Sequence, residues 1–143
     1  NKRLQPTLGS LARLKLFVIR SEIWMSDLAV YIRKNHIEVV NLKDSKAKAG
    51  SASFTSTRLL VGNFPEAESL LIKLVKEVRS SGLFAAKPRI VIQPLEMTEG
   101  GLSVVEERIF LELGASAGAR HVKVHVGEKL NTQAATALLE DRV

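Results

Sequence analysis

The sequence predicts an α/β domain on a mixed five-stranded sheet, with elements in the order β-β-β-α-β-α-β-α. Three observations carry that expectation. Short β-rich runs fill residues 28–63, the apolar spacing switches to a helical period at Pro65, and from there a compact apolar run at 89–94 and an alternating one at 122–126 are interleaved with amphipathic stretches. At 143 residues, with 45% hydrophobic and 25% charged residues, one core suffices. Residues 1–24 are expected to form a basic N-terminal segment and residues 25–143 a single domain, with no internal repeat and no linker between them.

The N-terminal stretch "LGSLARLKLFVIRSEIW" carries Leu8, Leu11, Leu14 and Val18 near helical spacing, with Arg13 and Arg20 on another side. A basic helix with Leu, Phe and Trp on its apolar side can lie in a membrane interface, and it can equally pack on its own domain. The continuous run Leu16–Ile19 reads as β-rich and competes with the helix. Residues 1–48 hold ten Lys/Arg against four acids, whereas residues 49–143 hold eleven of each, so the whole +6 excess sits in the first third. Such asymmetry suits a solubilising arm or a surface meeting phosphates. Arg13, Lys15, Arg20 and Lys34 are the candidate anion or lipid contacts.

Leu28–Ile32 and Ile37–Leu42 read as two strands joined by the polar Arg33-Lys34-Asn35-His36, a connection of hairpin length. "DSKAKAGSAS" reads as a small-residue basic loop, and the apolar "FTSTRLLVGN" as a third strand ending at Gly62-Asn63. Pro65 then suits a first helical turn, Glu66 and Glu68 the positive end of the dipole, and Leu71, Leu74, Val75 and Val78 one buried face before Gly82. "RIVIQP" is a short strand of the kind buried on both faces in parallel sheets. Ser103 and Glu106 have the spacing of a capping box, with Val105, Ile109 and Leu113 expected inward and Phe110 beside them. Gly118 offers a left-handed stop, after which Val122, Val124 and Val126 face one way along a fifth strand and Lys123 and His125 the other. A last short helix follows Asn131, with Ala134, Ala135, Leu138 and Leu139 apolar. A three-stranded meander followed by two βα crossovers is the plan of the ribonuclease H-like fold, which actin-type ATPases use twice.

With no cysteine, disulfides, thiolate metal sites and cysteine nucleophiles are excluded, which suits a reducing compartment. No apolar run reaches the roughly 18 residues of a membrane span. The start lacks the features of a signal peptide, and it opens on Asn1, as a trimmed chain would. The expected location is cytoplasmic, with the inner membrane face as a peripheral site. His121 and His125 lie roughly 13 Å apart along an extended strand, too far to chelate one ion. His36 lacks a local ligand partner, no G-x-S-x-G elbow is present, and "EGG" at 99–101 belongs to no phosphate-binding motif.

Residues 87–124 resemble the MreB family of bacterial actin homologues, which govern rod shape. The matching residues are Pro94 at a strand end, Val105-Glu106-Glu107-Arg108 at a helix start, and Ala117-Gly118-Ala119-Arg120 at a turn before a strand. An amphipathic helix precedes that strand, as in the family; the likeness covers residues 65–126 by motif and 28–126 by element order. It implies a single ribonuclease H-like half domain. The family's first phosphate turn, D-L-G-T, corresponds to Tyr31-Ile32-Arg33-Lys34, where Asp27 is too early to replace the acid. Its E-E-P-M-A-A-A stretch corresponds to "VGEKLNTQAATALL", where Glu128 is displaced, and its second glycine turn would lie beyond residue 143. Read through the resemblance, the chain is a pseudo-ATPase with no catalytic, metal or cofactor residues and no bound nucleotide. The resemblance implies an actin-like scaffold or interaction module in cell-shape or envelope assembly. A protein partner or a second copy is expected on the faces around Leu71, Val75, Leu138 and Leu139.

The alternative is a nucleic-acid-binding protein or metal-dependent nuclease of the same fold. That chemistry needs carboxylates converging at the strand ends, and the available acids are Glu38, Glu96, Glu99, Glu106 and Glu107. With aromatics at only 5%, a stacking platform for nucleic acid is poorly supplied.

Overall fold

The computed structural model describes residues 26–79 and 86–141. The expected N-terminal helix and Gly82 lie outside them. The elements are β1 (Asp27–Arg33), β2 (His36–Asn41), β3 (Ala47–Ser51), α1 (Phe64–Val78), β4 (Arg89–Pro94), α2 (Val104–Ser116), β5 (His121–Val124) and α3 (Thr132–Glu140). The five strands form one sheet in the order β3-β2-β1-β4-β5. β2 runs antiparallel to both β1 and β3, while β1, β4 and β5 are parallel, so the sheet is mixed. Helices α1 and α2 cover one face and α3 the other.

Period-two alternation sorts β1 and β4 between two cores. Leu28, Val30, Ile32, Ile90 and Ile92 point to the larger core beneath α1 and α2. Ala29, Tyr31 and Val91 point to the smaller core, closed by Ala135 and Leu139 of α3. Helix α1 has Pro65 in its first turn and buries Ala67, Leu71, Leu74, Val75 and Val78. Each fully buried Leu or Val contributes about 1.5–3 kcal/mol, far more than differences in helix propensity. The helix ends where the Asn41 amide donates to the Val78 carbonyl at 2.9 Å.

The third strand is not where the apolar pattern puts it. β3 occupies Ala47–Ser51, inside the expected small-residue loop, and pairs with His36–Val40 after a turn in which Asn41 N–H donates to the Lys46 carbonyl at 2.8 Å. Gly50 leaves room for α1: a Cβ there would lie 2.9 Å from Leu70 Cδ1, so that the Leu70 side chain would have to shift. Phe54, Leu60 and Val61, whose apolar run suggests a strand, are instead buried as plugs of the larger core from an irregular segment. Asn35 in the β1–β2 turn claims that segment's backbone. Its side-chain oxygen accepts from Phe54 N–H at 3.0 Å and Thr55 N–H at 2.8 Å, and its own N–H donates to Thr55 Oγ1 at 2.9 Å.

Helix α2 starts on the expected capping box: Glu106 N–H donates to Ser103 Oγ at 3.1 Å and Ser103 N–H to Glu106 Oε2 at 3.0 Å. Its inward side is rotated from the expected one. Phe110, Leu113 and Gly114 are buried and Ile109 half-buried, whereas Val105 is 67% exposed. Gly114 sets this rotation, because a Cβ there would lie 2.7 Å from Val122 Cγ2 and 3.2 Å from Ile92 Cδ1, so bare backbone rests on the sheet. Gly118, at φ 94°, stops the helix, with Ala119 N–H donating to the Gly114 carbonyl and Gly118 N–H to Ala115. β5 is shorter than expected: Val122 and Val124 pack on the larger core, but Val126 lies beyond the strand and is 39% exposed. The last helix begins with the Asn131 side chain accepting from Ala134 N–H at 2.8 Å.

Candidate functional site

In open sheets with parallel strands, ligands bind outside the carboxyl ends of the strands, where connections leave in opposite directions. Here that place is the end of β1 and β4, since β1 leads to β2 on one side and β4 to β5 on the other. The chain's own groups fill it. Beyond the last pairs, Leu95 N–H donates to the Ile32 carbonyl at 2.9 Å and His125 N–H to the Ile92 carbonyl at 3.0 Å, which prolongs the ladder. The Glu96 carboxylate accepts from Lys34 N–H at 2.7 Å and so bridges the two strand ends. Beside it is a cavity of about 10 Å³ between Leu60, Pro94, Met97, Leu102 and Phe110, room for about one water.

On the other face, Gln93 is 1% exposed and ties down the β5–α3 connection. Its amide nitrogen donates to the carbonyls of Gly127 at 3.0 Å and Glu128 at 2.7 Å, while its oxygen accepts from Leu130 N–H at 2.9 Å. Next to it the Tyr31 hydroxyl donates to the Leu130 carbonyl at 2.9 Å. Lys129 Nζ lies 4.4 Å from the centre of the Tyr31 ring and 3.2 Å from Glu38 Oε1. Burial, and then the negative charge of Glu38, push the Tyr31 phenol above its ordinary value. At the opposite end of β4, Arg89 grips Asp27 with two hydrogen bonds, 2.8 Å and 2.7 Å, and donates to the Leu139 carbonyl at 3.2 Å. The hydrogen bond to Asp27 raises the Arg89 guanidinium further above its already high value, against an opposing effect of burial. One strand therefore clasps α3 at both of its ends.

Of the acids that metal chemistry would need, Glu96 and Glu106 both line the small cavity and the others lie apart from it. Glu38 is paired with Lys129, Glu96 is taken by the β1–β2 turn, Glu106 caps α2, and Glu99 and Glu107 are exposed. Among the described residues no three His, Asp or Glu side chains are grouped to hold a metal ion, and every buried side-chain nitrogen or oxygen has a hydrogen-bond partner.

The residues expected at a partner interface are used inside the fold. Leu71 and Val75 are 0% and 1% exposed against the larger core, Leu139 is 2% exposed in the smaller one, and Leu138 is half-buried beside it. Their helical spacing is that of a buried stripe, and the chain's own sheet covers it. Of the candidate anion contacts, Lys34 is exposed in the β1–β2 turn, while Arg13, Lys15 and Arg20 lie outside the described residues. No helix among the described residues is long and apolar enough to cross a membrane.

Exposed apolar surface lies instead on α2, at Val104 (84%), Val105 (67%) and Leu111 (39%). Val104, Val105, Ile109 and Phe64, with Arg108 and Glu112 at the rim, line an open groove of about 510 Å³. Sequence reasoning missed this surface because it turned Val105 inward. The signal was present in Gly114, whose place in the middle of an amphipathic run marks the side that approaches the sheet.

Among the described residues the molecule is thus an α/β domain with Glu96 drawn across the ends of β1 and β4 and with most of its exposed large apolar side chains on α2. Over 98 residues, 65% of this chain and 77% of the relative, it is 44% identical to the uncharacterized protein YjaA of Escherichia coli (strain K12). The chain belongs to the family of that protein. No family model matches it.

Proposed function

We propose that this protein is a non-catalytic interaction module on a ribonuclease H-like half domain, acting by presenting a surface rather than by transforming a substrate. The fold reading is supported by the strand order β3-β2-β1-β4-β5 with only β2 reversed. The observation that carries the functional reading is the filling of the carboxyl ends of β1 and β4. Where an actin-type ATPase has a glycine turn around polyphosphate, this chain has the bulky Tyr31-Ile32-Arg33-Lys34, with Glu96 drawn across the gap onto Lys34 N–H. A carboxylate fixed at that point repels phosphate oxygens, and the adjoining cavity is the size of a water.

Kinship with MreB, and with it a role in cell shape or envelope assembly, rests on the quoted motifs alone. Each of these also has a local duty: Val105-Glu106-Glu107-Arg108 contains the helix cap and Ala117-Gly118-Ala119-Arg120 the helix stop. The experiment is a calorimetric titration of the full chain with ATP and magnesium, paired with an assay of phosphate release. Neither saturable heat nor released phosphate is expected. Saturable, magnesium-dependent binding would overturn the reading.

A further inference from the structure

The outer face of α2 repeats at Val104, Arg108, Leu111 and Ala115, spaced four, three and four residues, so these exposed side chains form one stripe along the helix. Val104, Glu107, Arg108, Leu111 and Glu112 line an open depression of about 390 Å³ on this side. Along this side Val104, Glu107, Arg108 and Leu111 read apolar, acid, base, apolar. Read backwards, the order is apolar, base, acid, apolar. A two-fold axis beside the helix and perpendicular to it, level with the midpoint between Glu107 and Arg108, therefore sets Val104 against Leu111 of a second copy and Arg108 against Glu107 of that copy, each contact made twice. Patterns complementary to themselves in this way are what a two-fold interface requires.

We propose that α2 pairs antiparallel with α2 of a second copy of this chain. The inference rests on the interaction-module reading and names its partner. Arg108 is placed to take part: its only ion pair among the described residues is a loose one, 3.8 Å to Glu112, with both side chains largely exposed. Val105 and the groove beside Phe64 and Ile109 extend the apolar contact on one flank. Two to three turns of helix make a small interface, so dissociation in the micromolar range or weaker is expected.

Sedimentation equilibrium of the full chain, from low micromolar to several hundred micromolar, tests this with three variants. The wild type should shift from monomer to dimer as concentration rises. Glu107→Arg or Arg108→Glu alone should weaken the dimer about tenfold, since each removes two attractive pairs and creates two repulsive ones. The double exchange E107R/R108E should return it to within about threefold of wild type. Val104→Asp puts an acid in the first helical turn, where it favours folding, and should abolish the dimer. A wild type that stays monomeric throughout overturns the proposal, and so does a dimer indifferent to Val104→Asp or unrestored by the double exchange. Such a result leaves the module reading standing, because that reading falls only to nucleotide binding.

Discussion

Replacing Gln93 by Leu removes the clasp on the β5–α3 connection while nearly preserving side-chain volume. Three hydrogen bonds, of 3.0, 2.7 and 2.9 Å, disappear together. The Gly127 and Glu128 carbonyls are on exposed residues and turn to water, so each loss is the net value of about 1 kcal/mol. Leu130 is half-buried, and its stranded N–H costs about 1–2 kcal/mol. The sum, about 3–4 kcal/mol, is a large fraction of the 5–15 kcal/mol or so typical of a domain. Urea unfolding followed by circular dichroism measures it, and exchange of the Leu130 amide should accelerate about a hundredfold or more relative to that of Ile92. Gln93→Glu is the control. It keeps the acceptor for Leu130 but turns a carboxylate on two carbonyls, which raises the folded-state pKa of the new acid above its ordinary value of about 4.3. The added penalty is then absent below about pH 4.3 and grows as pH rises through the raised value. A loss under about 1 kcal/mol for Gln93→Leu, or a pH-independent penalty for Gln93→Glu, would refute the reasoning.

Three other outcomes are expected. Arg89→Met leaves Asp27, 3% exposed, without its cation and should cost about 3 kcal/mol in urea unfolding, most of it regained in the pair D27L/R89M. Gly114→Ala should destabilise despite a gain of about 1 kcal/mol in helix propensity, because the new methyl overlaps Val122; a double-mutant cycle with Val122→Ala should show a favourable coupling of about 1 kcal/mol or more. The single tyrosine makes absorbance titration unambiguous: Tyr31 should ionise above pH 10.0, and stability should be lost as pH rises from there through the raised value. Tyr31→Phe should lack that loss.

The legible parts of the fold were those whose signals are local. The Ser103–Glu106 cap, the Gly118 stop, the Pro65 start and the run at 89–94 each depend on neighbours within a few residues. β3 was hidden because "AKAGS" has neither β-branched nor large apolar residues, and what makes it a strand is the edge of β2 and the room that Gly50 leaves for Leu70. The apolar decoy at 54–63 failed for the complementary reason, since Asn35, about 20 residues earlier, had taken its hydrogen bonds. The clasp by Gln93 spans 34 to 37 positions, and a lone Gln in an apolar run gives no hint of which backbone it will hold. The closed strand ends were legible in part, through the bulky Tyr31-Ile32-Arg33-Lys34; the role of Glu96, 62 positions from Lys34, was not.

The central strand also has a history. β1 acquires β2 across a two-residue turn, but its other flank waits for β4, which pairs Asp27 with a residue 62 positions further on. At about 5–20 residues per second, a ribosome needs about 3–12 s to deliver that stretch. Until then the nascent hairpin shows an open row of amides and carbonyls beside the apolar side chains of Leu28, Val30 and Ile32, and any neighbouring chain can dock there. A holdase that grips Leu28–Ile32 during those seconds would guard the weakest moment in the life of this protein.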